Sequence, residues 1–433
     1  MGRIVQKFGG SSVADAASIK NVARRIAATR ANGNEVVIVI SAMGDTTDEL
    51  MDLALQVSPH PTPRELDMLL TTGERQSAAL LAMALGSLGV PARSYSGSQA
   101  GVITTAAHGN ARIIDITPGR VVSSIAAGNV VIVAGFQGVA QTTKDVTTLG
   151  RGASDTTAVA LAAAMKADYC EIYTDVDGVF TADPRIVPSA RRLPVISYEE
   201  MMELAASGAK VLHLRCVEYA RVEHVPIHVR SSFSENPGTW VTDRPQEVLG
   251  VAAEDAKKGT AMEQAIISGV AHDASVAKIT ITGVPDHVGV AARLFHAIAA
   301  ADVNVDMIVQ NTSRIGEGSA DISFTLPMED ADKAKAALDA VKADIGFAGY
   351  SYDDRIAKVS VVGVGIRNHP GVAATLFEAL AAAGVNLDMI ATSEIRISVM
   401  VDAKDMEKAV RAAHTAFGLD ADGEAVVYAG TGR

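Results

Sequence analysis

An internal repeat in the C-terminal part of the chain limits its architecture more than any other feature. AKITITG (Ala277–Gly283) returns as AKVSVVG (Ala357–Gly363). GVAARLFHAIAAA, starting at Gly289, returns as GVAATLFEALAAA, starting at Gly371, and VNVDMIV (Val303–Val309) returns as VNLDMIA (Val385–Ala391). The offset is 80 residues at the first match (277 to 357) and 82 at the others (289 to 371, 303 to 385), so the copies differ by two residues of loop. A repeat of this size is one supersecondary unit that buries its apolar face against a neighbour. Each copy reads strand, glycine loop, helix, strand, strand, helix, strand, which predicts two ferredoxin-like βαββαβ units. IISGVAH (Ile266–His272) and EAVVYAG (Glu424–Gly430) read as two further strands, neither assigned to a copy.

The chain ahead of the repeat has a different rhythm. Strand-like runs at Ile4–Phe8, Glu35–Ile40, Asn129–Ala134 and Tyr169–Thr174 alternate with helical stretches at Ala14–Arg30, Asp48–Val57, Glu74–Leu85 and Ser154–Met165. Glu35–Ile40 is a near-continuous aliphatic run, as a strand buried on both faces should be, and strand–helix alternation with Gly-rich turns predicts an α/β fold, a mainly parallel sheet sandwiched by helices. With 433 residues the chain is too long for one core. The pattern predicts a first domain at 1–248, a linker at 249–265, and the repeat units at 266–352 and 353–433.

Composition narrows the partners. A formal net charge of -12 argues against nucleic acid or an anionic membrane as the main partner. Two cysteines, Cys170 and Cys216, make neither a disulfide framework nor a zinc site and suit a reducing compartment. The N-terminus lacks the apolar core of a signal peptide, and no apolar run approaches the length of a membrane span. A cytoplasmic location is expected.

KFGGSSV (Lys7–Val13) follows the first strand and opens a helix. Gly9 and Gly10 let the backbone approach a phosphate, Ser11 or Ser12 can cap the helix, and Lys7 adds a mobile positive charge. The GxxxxGK[ST] spacing of a Walker A loop is absent. The same residues would also serve a plain strand–turn–helix.

KFGGSSV resembles the N-terminal signature of aspartate kinases, in the amino-acid kinase superfamily. The resemblance continues in SAMGDTTDEL (Ser41–Leu50), TTGER (Thr71–Arg75), TTLGRGASDTTA (Thr147–Ala158), YTDVDGVFTADPR (Tyr173–Arg185) and GAKVLH (Gly208–His213), and the tandem repeat is similar to that family's paired ACT domains. It implies the amino-acid kinase fold followed by two ACT domains, and ATP-dependent phosphorylation of the aspartate side-chain carboxylate with Mg2+.

By that resemblance, Glu74 receives the substrate ammonium and Arg151 clasps its α-carboxylate, where a planar fork suits two oxygens. Ser41, Thr47 and Ser154 join them in binding substrate. Lys7 stabilises the transferring phosphoryl group, and Asp155 organises the lysines around the phosphates. The nucleotide is expected at Lys7, Gly9, Gly10, Ser11, Thr174, Asp175, Phe180, Asp183, Arg185 and Lys210. Leu214 follows GAKVLH where many relatives carry proline.

In the repeats, Asp286, Asn304 and Gln310 of the first unit, and Val372, Ala373 and Asn386 of the second, are expected to hold an amino-acid effector, lysine or threonine or both. The first unit reads DHVG where the family often has Pro before the Gly, and the second keeps HPG. The chain is expected to form a homo-oligomer, or to assemble with a regulatory subunit started internally near Met262. Two other readings stay open: another amino-acid kinase, of the glutamate type, and an amino-acid sensor with a dead kinase domain.

Overall fold

Glu35–Ile40 (EVVIVI) is aliphatic on both sides of its pleat, as a strand covered on both faces must be, and it lies inside an eight-stranded sheet. The computed structural model describes residues 2–150, 152–244, 266–312, 318–366 and 369–428. They divide into two compact units. One holds the residues up to 244, without 207–209, together with 421–428. The other holds 207–209 and 266–420.

Strands of the first unit are β1 (Arg3–Phe8), β2 (Glu35–Ile40), β3 (Ala92–Tyr95), β4 (Val102–Thr104), β5 (Ile113–Ile116), β6 (Val130–Ala134), β7 (Gln137–Ala140), β8 (Val146–Thr148), β9 (Tyr169–Thr174), β10 (Val195–Ile196), β11 (Ile227–Ser231) and β12 (Thr239–Val241). Its helices are α1 (Ala16–Ala31), α2 (Thr46–Val57), α3 (Pro63–Leu70), α4 (Thr72–Ser87), α5 (Gly119–Ala126), α6 (Ala153–Ala164), α7 (Tyr198–Ala206) and α8 (Leu214–Glu223). The large sheet runs β10-β12-β11-β9-β1-β2-β6-β3. From β11 to β3 every neighbouring pair is parallel, and only β12 against β11 is antiparallel. Ile26, Leu81 and Leu85 of α1 and α4 pack on Phe8, Ile38 and Ile132 of the sheet. The other helix layer includes α6, buried from Ala153 to Ala162, where small residues let helix and sheet approach closely. A smaller sheet, β5-β4-β7-β8, gathers the stretches that carry no strong aliphatic run.

Helix capping departs from expectation. Gly10–Val13 is a short 3₁₀ turn, and α1 begins after it with Asp15 accepting from the Ser18 amide at 2.7 Å. Ser11 and Ser12 therefore do not cap α1. Ser12 is buried and accepts from Ser232 Oγ at 2.8 Å.

In the second unit, β14 (Val276–Pro285), the helix Val290–Ala300, β15 (Ile308–Thr312), β16 (Ser319–Pro327), the helix Ala331–Ile345 and β17 (Gly349–Asp353) complete one βαββαβ unit with sheet order β15-β16-β14-β17. The second copy has β18 (Ile356–Val364), the helix Gly371–Ala382, β19 (Met389–Thr392), β20 (Arg396–Asp402) and the helix Met406–Ala416, but no fourth strand of its own among the described residues. Its open edge along β18 is filled by β13 (Ile266–Asp273), antiparallel from Ile266↔Val364 to Asp273↔Lys358. Pairing covers backbone donors and acceptors that an edge strand would leave bare. IISGVAH thus precedes the first copy in sequence and completes the sheet of the second, across the 352/353 boundary. Of the strand expected at Glu424–Gly430, the described residues keep one bridge, Val427 to Val176 in the first unit, so the tail joins neither repeat sheet. The linker expected at 249–265, with Met262, lies outside the described residues. Among those described, no helix is long and apolar enough to cross a membrane.

Candidate active site

Parallel strands β1, β2, β6 and β9 end on one side of the sheet, and the loops that leave them meet there. Gly10 is forced by this crowding. A Cβ on it would stand 2.9 Å from the Gly44 carbonyl oxygen and 3.1 Å from that of Ala42, and the Gly44 amide donates to the Gly10 carbonyl at 3.1 Å. The loops after β1 and β2 therefore lie backbone on backbone, an approach that any side chain at Gly10 would prevent.

A cavity of about 280 Å³ opens beside them, lined by Lys7, Gly10, Ser41, Thr47, Glu74, Phe136 and Ser154 among others. Five residues expected at the site, Lys7, Ser41, Thr47, Glu74 and Ser154, converge there from β1, the loop after β2, α2, α4 and α6. Lys7 Nζ lies 2.6 Å from Asp155 Oδ1, with little of either side chain exposed. Asp155 sits in the first turn of α6, where the helix dipole favours an anion.

Glu74 is 3% exposed. One carboxylate oxygen accepts from the Ala42 amide at 3.3 Å, and the other has no hydrogen-bond partner. Burial pushes its carboxyl up to about 7, against the pull of its own and the Ala42 backbone amides and of the Arg75 charge. A buried carboxylate with a vacant acceptor facing a cavity suits an ammonium group.

Phe136 escaped sequence reasoning. It sits on the sharp turn between β6 and β7 with φ 68°, a conformation that a bulky side chain holds only where its surroundings impose it. The signal for it was the Gly135-Phe136-Gln137 break directly after a fully aliphatic strand. A Cβ on Gly135 would meet Ser154 Oγ at 2.8 Å, so the turn presses against the start of α6. Arg151 lies outside the described residues.

A second cluster forms after β9. Thr174 Oγ1 donates to Asp175 Oδ1 at 3.0 Å, Arg185 Nη2 reaches Asp175 Oδ2 at 2.9 Å, and the Arg185 amide donates to Asp183 Oδ1 at 2.9 Å. Thr174, Asp175, Asp183 and Arg185 are thus gathered in one loop. Phe180 is half-buried and forms a β-bridge with Arg192, and Lys210 is exposed. Among the described residues no group of three or more His, Cys, Asp or Glu side chains could hold a metal ion.

The two repeats treat their expected residues differently. A cavity of about 360 Å³ at the start of the helix Val290–Ala300 is lined by Asp286 and Gln310, with Gly289 in the left-handed conformation. Asn304 does not line it. In the second repeat, Val372 and Ala373 occupy the start of the helix Gly371–Ala382, but Asn386 lines a separate cavity with Asp353, Arg355, Asp388, Asp402 and Lys404.

Comparison with known proteins matches this division. Residues 2–231 match the amino acid kinase family, and 279–341 and 359–417 each match the ACT domain. The chain is 61% identical to an aspartokinase of Mycolicibacterium smegmatis and 54% identical to one of Corynebacterium glutamicum, in both cases over 100% of each chain. Among solved structures, an aspartate kinase from Synechocystis is 42% identical with a TM-score of 0.51, over 96% of this chain and 69% of that one. Aspartokinase III of E. coli, in complex with aspartate and ADP in its R-state, has a TM-score of 0.80 at 24% identity, over 95% of this chain and 99% of that one.

Proposed function

The chain belongs to the aspartokinases of the amino acid kinase family, and from that premise we propose that its cavity holds L-aspartate for phosphorylation by ATP to 4-phospho-L-aspartate. The single observation that carries the substrate assignment is the buried, half-satisfied carboxylate of Glu74 within reach of the cavity that Lys7 also lines. Glu74 takes the ammonium and Arg151 the α-carboxylate. The β-carboxylate then points toward Lys7, with Ser41, Thr47 and Ser154 as neutral contacts.

The nucleophile is ionised at pH 7 and needs no general base. One of its oxygens forms a bond to the γ-phosphorus while the bond to the ADP oxygen breaks. Catalysis rests on positioning and on neutralising charge on the transferred group. Lys7 supplies that charge, and Asp155 fixes its ammonium. The backbone at Gly9, Gly10 and Ser11 takes the nucleotide phosphates, and Gly10 lets that loop pack closely on the loop after β2. Thr174, Asp175, Phe180, Asp183 and Arg185 hold the nucleoside end, and Lys210 reaches the phosphates. Mg2+ bound to those phosphates would add to the neutralisation, with few ligands from the protein.

We further propose that the product feeds lysine, threonine and methionine synthesis, and that lysine, threonine or both act at the cleft of Asp286 and Gln310. The test is ATP-dependent aspartyl hydroxamate formation with hydroxylamine as trap, with and without the two amino acids. Hydroxamate from glutamate or acetylglutamate but not from aspartate would identify a different amino acid kinase. None from any of the three would make the chain a sensor without catalysis.

A further inference from the structure

From residue 421 the chain packs within the first unit, beyond the last helix of the second repeat. The Ala421 amide donates to the Ser189 carbonyl at 2.7 Å, the Ala425 amide to that of Pro188 at 2.8 Å, and the Tyr428 amide to that of Asp175 at 2.9 Å. Val427 bridges Val176, and the Tyr428 ring stacks on Phe233 with centroids 6.0 Å apart and planes 17° from parallel. The Tyr428 hydroxyl donates to Asp177 Oδ2 at 3.2 Å. Asp177 is buried and also accepts from Ser234 Oγ and, at 2.8 Å, from Asn236 Nδ2.

The segment thus held is the irregular loop after β9. Asp175, whose carbonyl takes the Tyr428 amide, pairs through its side chain with Arg185. The loop's own pairing is short, the Phe180–Arg192 bridge with its flanking backbone bonds, so closing on a ligand still pays an ordering cost, and contacts that fix the loop beforehand reduce that cost.

We propose that residues 421–428 are a strap that fixes the nucleotide loop 174–185, with Tyr428 as its positioning residue. Tyr428 acts through Asp175 and Asp177. This rests on the reading that the loop after β9 holds the nucleotide.

The test uses the full chain in three variants: Tyr428→Ala, Tyr428→Phe and Arg185→Ala. Michaelis constants are measured for both substrates, and ADP dissociation constants by calorimetry. Tyr428→Ala is expected to raise the ATP Michaelis constant and the ADP dissociation constant roughly three- to tenfold, the range of one lost hydrogen bond together with the lost ring stack on Phe233, with the aspartate constant within about twofold of wild type. Tyr428→Phe keeps the ring and the backbone bonds, so its rise should be about twofold and in nucleotide only. Arg185→Ala should raise the nucleotide constants as well. If Arg185→Ala raises them and both Tyr428 variants match wild type, the strap is overturned and the nucleotide loop stands. If none of the three moves them, both fall. Equal changes in the aspartate and ATP constants would make the tail a general structural support and overturn its assignment to the nucleotide. If Tyr428→Ala does not fold, the Phe variant decides by the same criterion.

Discussion

The cavity proposed for catalysis and the cleft of the first repeat are of similar size and both are lined by acidic and amide or hydroxyl side chains, yet they are built oppositely. In the catalytic cavity Glu74 and Ser154 are buried, Lys7 and Asp155 are locked together at 2.6 Å, and two loops meet backbone to backbone at Gly10. In the repeat cleft Asp286, Val288 and Gln310 are all exposed. A site with its charges already desolvated and oriented gains a large electrostatic advantage from each of them. One whose ligands stand in water gains about the worth of a net hydrogen bond. Substitutions should therefore cost decades in the first and small factors in the second.

The largest effect is expected at Lys7. Lys7→Ala removes the charge aimed at the phosphoryl group and leaves the Asp155 carboxylate buried alone. Turnover number should fall by at least about 100-fold, on the order of 3 kcal/mol in barrier. Steady-state kinetics on protein of confirmed fold checks this. A turnover number within a few-fold of wild type would erase the contrast between the two sites.

Glu74 comes next and has a pH signature. Its carboxyl is raised to about 7 by burial, and it must be ionised to pair with an ammonium. Below pH 7 the free enzyme carries the proton, and aspartate must displace it. The apparent aspartate affinity should therefore fall as pH drops, approaching about tenfold per pH unit. Glu74→Gln should raise the aspartate Michaelis constant about 10- to 100-fold at pH 8 and flatten that dependence, with ATP little affected.

Stability runs the other way. A carboxyl raised above its unfolded value imposes no penalty below about pH 4.5, and a growing one up to about pH 7. Glu74→Gln should therefore gain thermal stability relative to wild type between pH 5 and pH 8, by about 1–3 kcal/mol at the upper end. A melting-temperature difference that is the same at both pH values would remove burial as the cause.

What sequence reading recovered is what local pattern encodes. The aliphatic runs of β2 and β6 and the helices α2, α4 and α6 are short-range signals, the repeat shows as matching segments, and the motifs carried Lys7, Ser41, Thr47, Glu74 and Ser154 to one cavity. The misses share a different cause. Whether β13 joins the first or the second repeat depends on which sheet edge is bare, and nothing within Ile266–Asp273 records that. Asp15 caps α1 in place of Ser11 or Ser12 because the glycine loop first turns once as a 3₁₀ helix. Phe136 is held in a left-handed conformation by distant partners, its amide donating to Thr157 Oγ1 and its carbonyl accepting from the Leu149 amide, 21 and 13 residues away (136 to 157, 136 to 149). Glu424–Gly430 reads as a strand by composition, but the described residues of the tail, 421–428, find their partners in the loops near Asp175 and Pro188.

In the open cleft, Gln310→Ala should raise the effector concentration for half-inhibition about five- to tenfold, with uninhibited turnover unchanged. Gln310 is exposed on β15 beside the start of the helix Val290–Ala300, so the loss is one net hydrogen bond and leaves no buried orphan. Inhibition curves with lysine, threonine and both decide it. A shift of 100-fold or more would mean that the cleft closes on its ligand and becomes as dry as the catalytic cavity.

The smallest effect is expected at Asn386, and it separates the two repeats from each other. Sequence similarity equates VNLDMIA with VNVDMIV and suggests that both copies offer the same ligands. Asn386 nevertheless lies apart from Val372 and Ala373, in a cavity with Arg355, Lys404 and four aspartates, Asp353, Asp388, Asp402 and Asp405. Lys404 is already engaged with Asp402 at 2.8 Å, and Asp353 accepts from the Arg355 amide at 3.0 Å. An amide there adds one exposed contact to a surface whose charges are largely paired with one another. Asn386→Ala should therefore shift half-inhibition by less than about twofold, within the range of an exposed polar contact. The double variant with Gln310→Ala should match Gln310→Ala alone, as independent sites do. An Asn386→Ala shift as large as that of Gln310→Ala, or a double variant well beyond the sum of the two, would show that both repeats grip one effector and that the separate cavities act together.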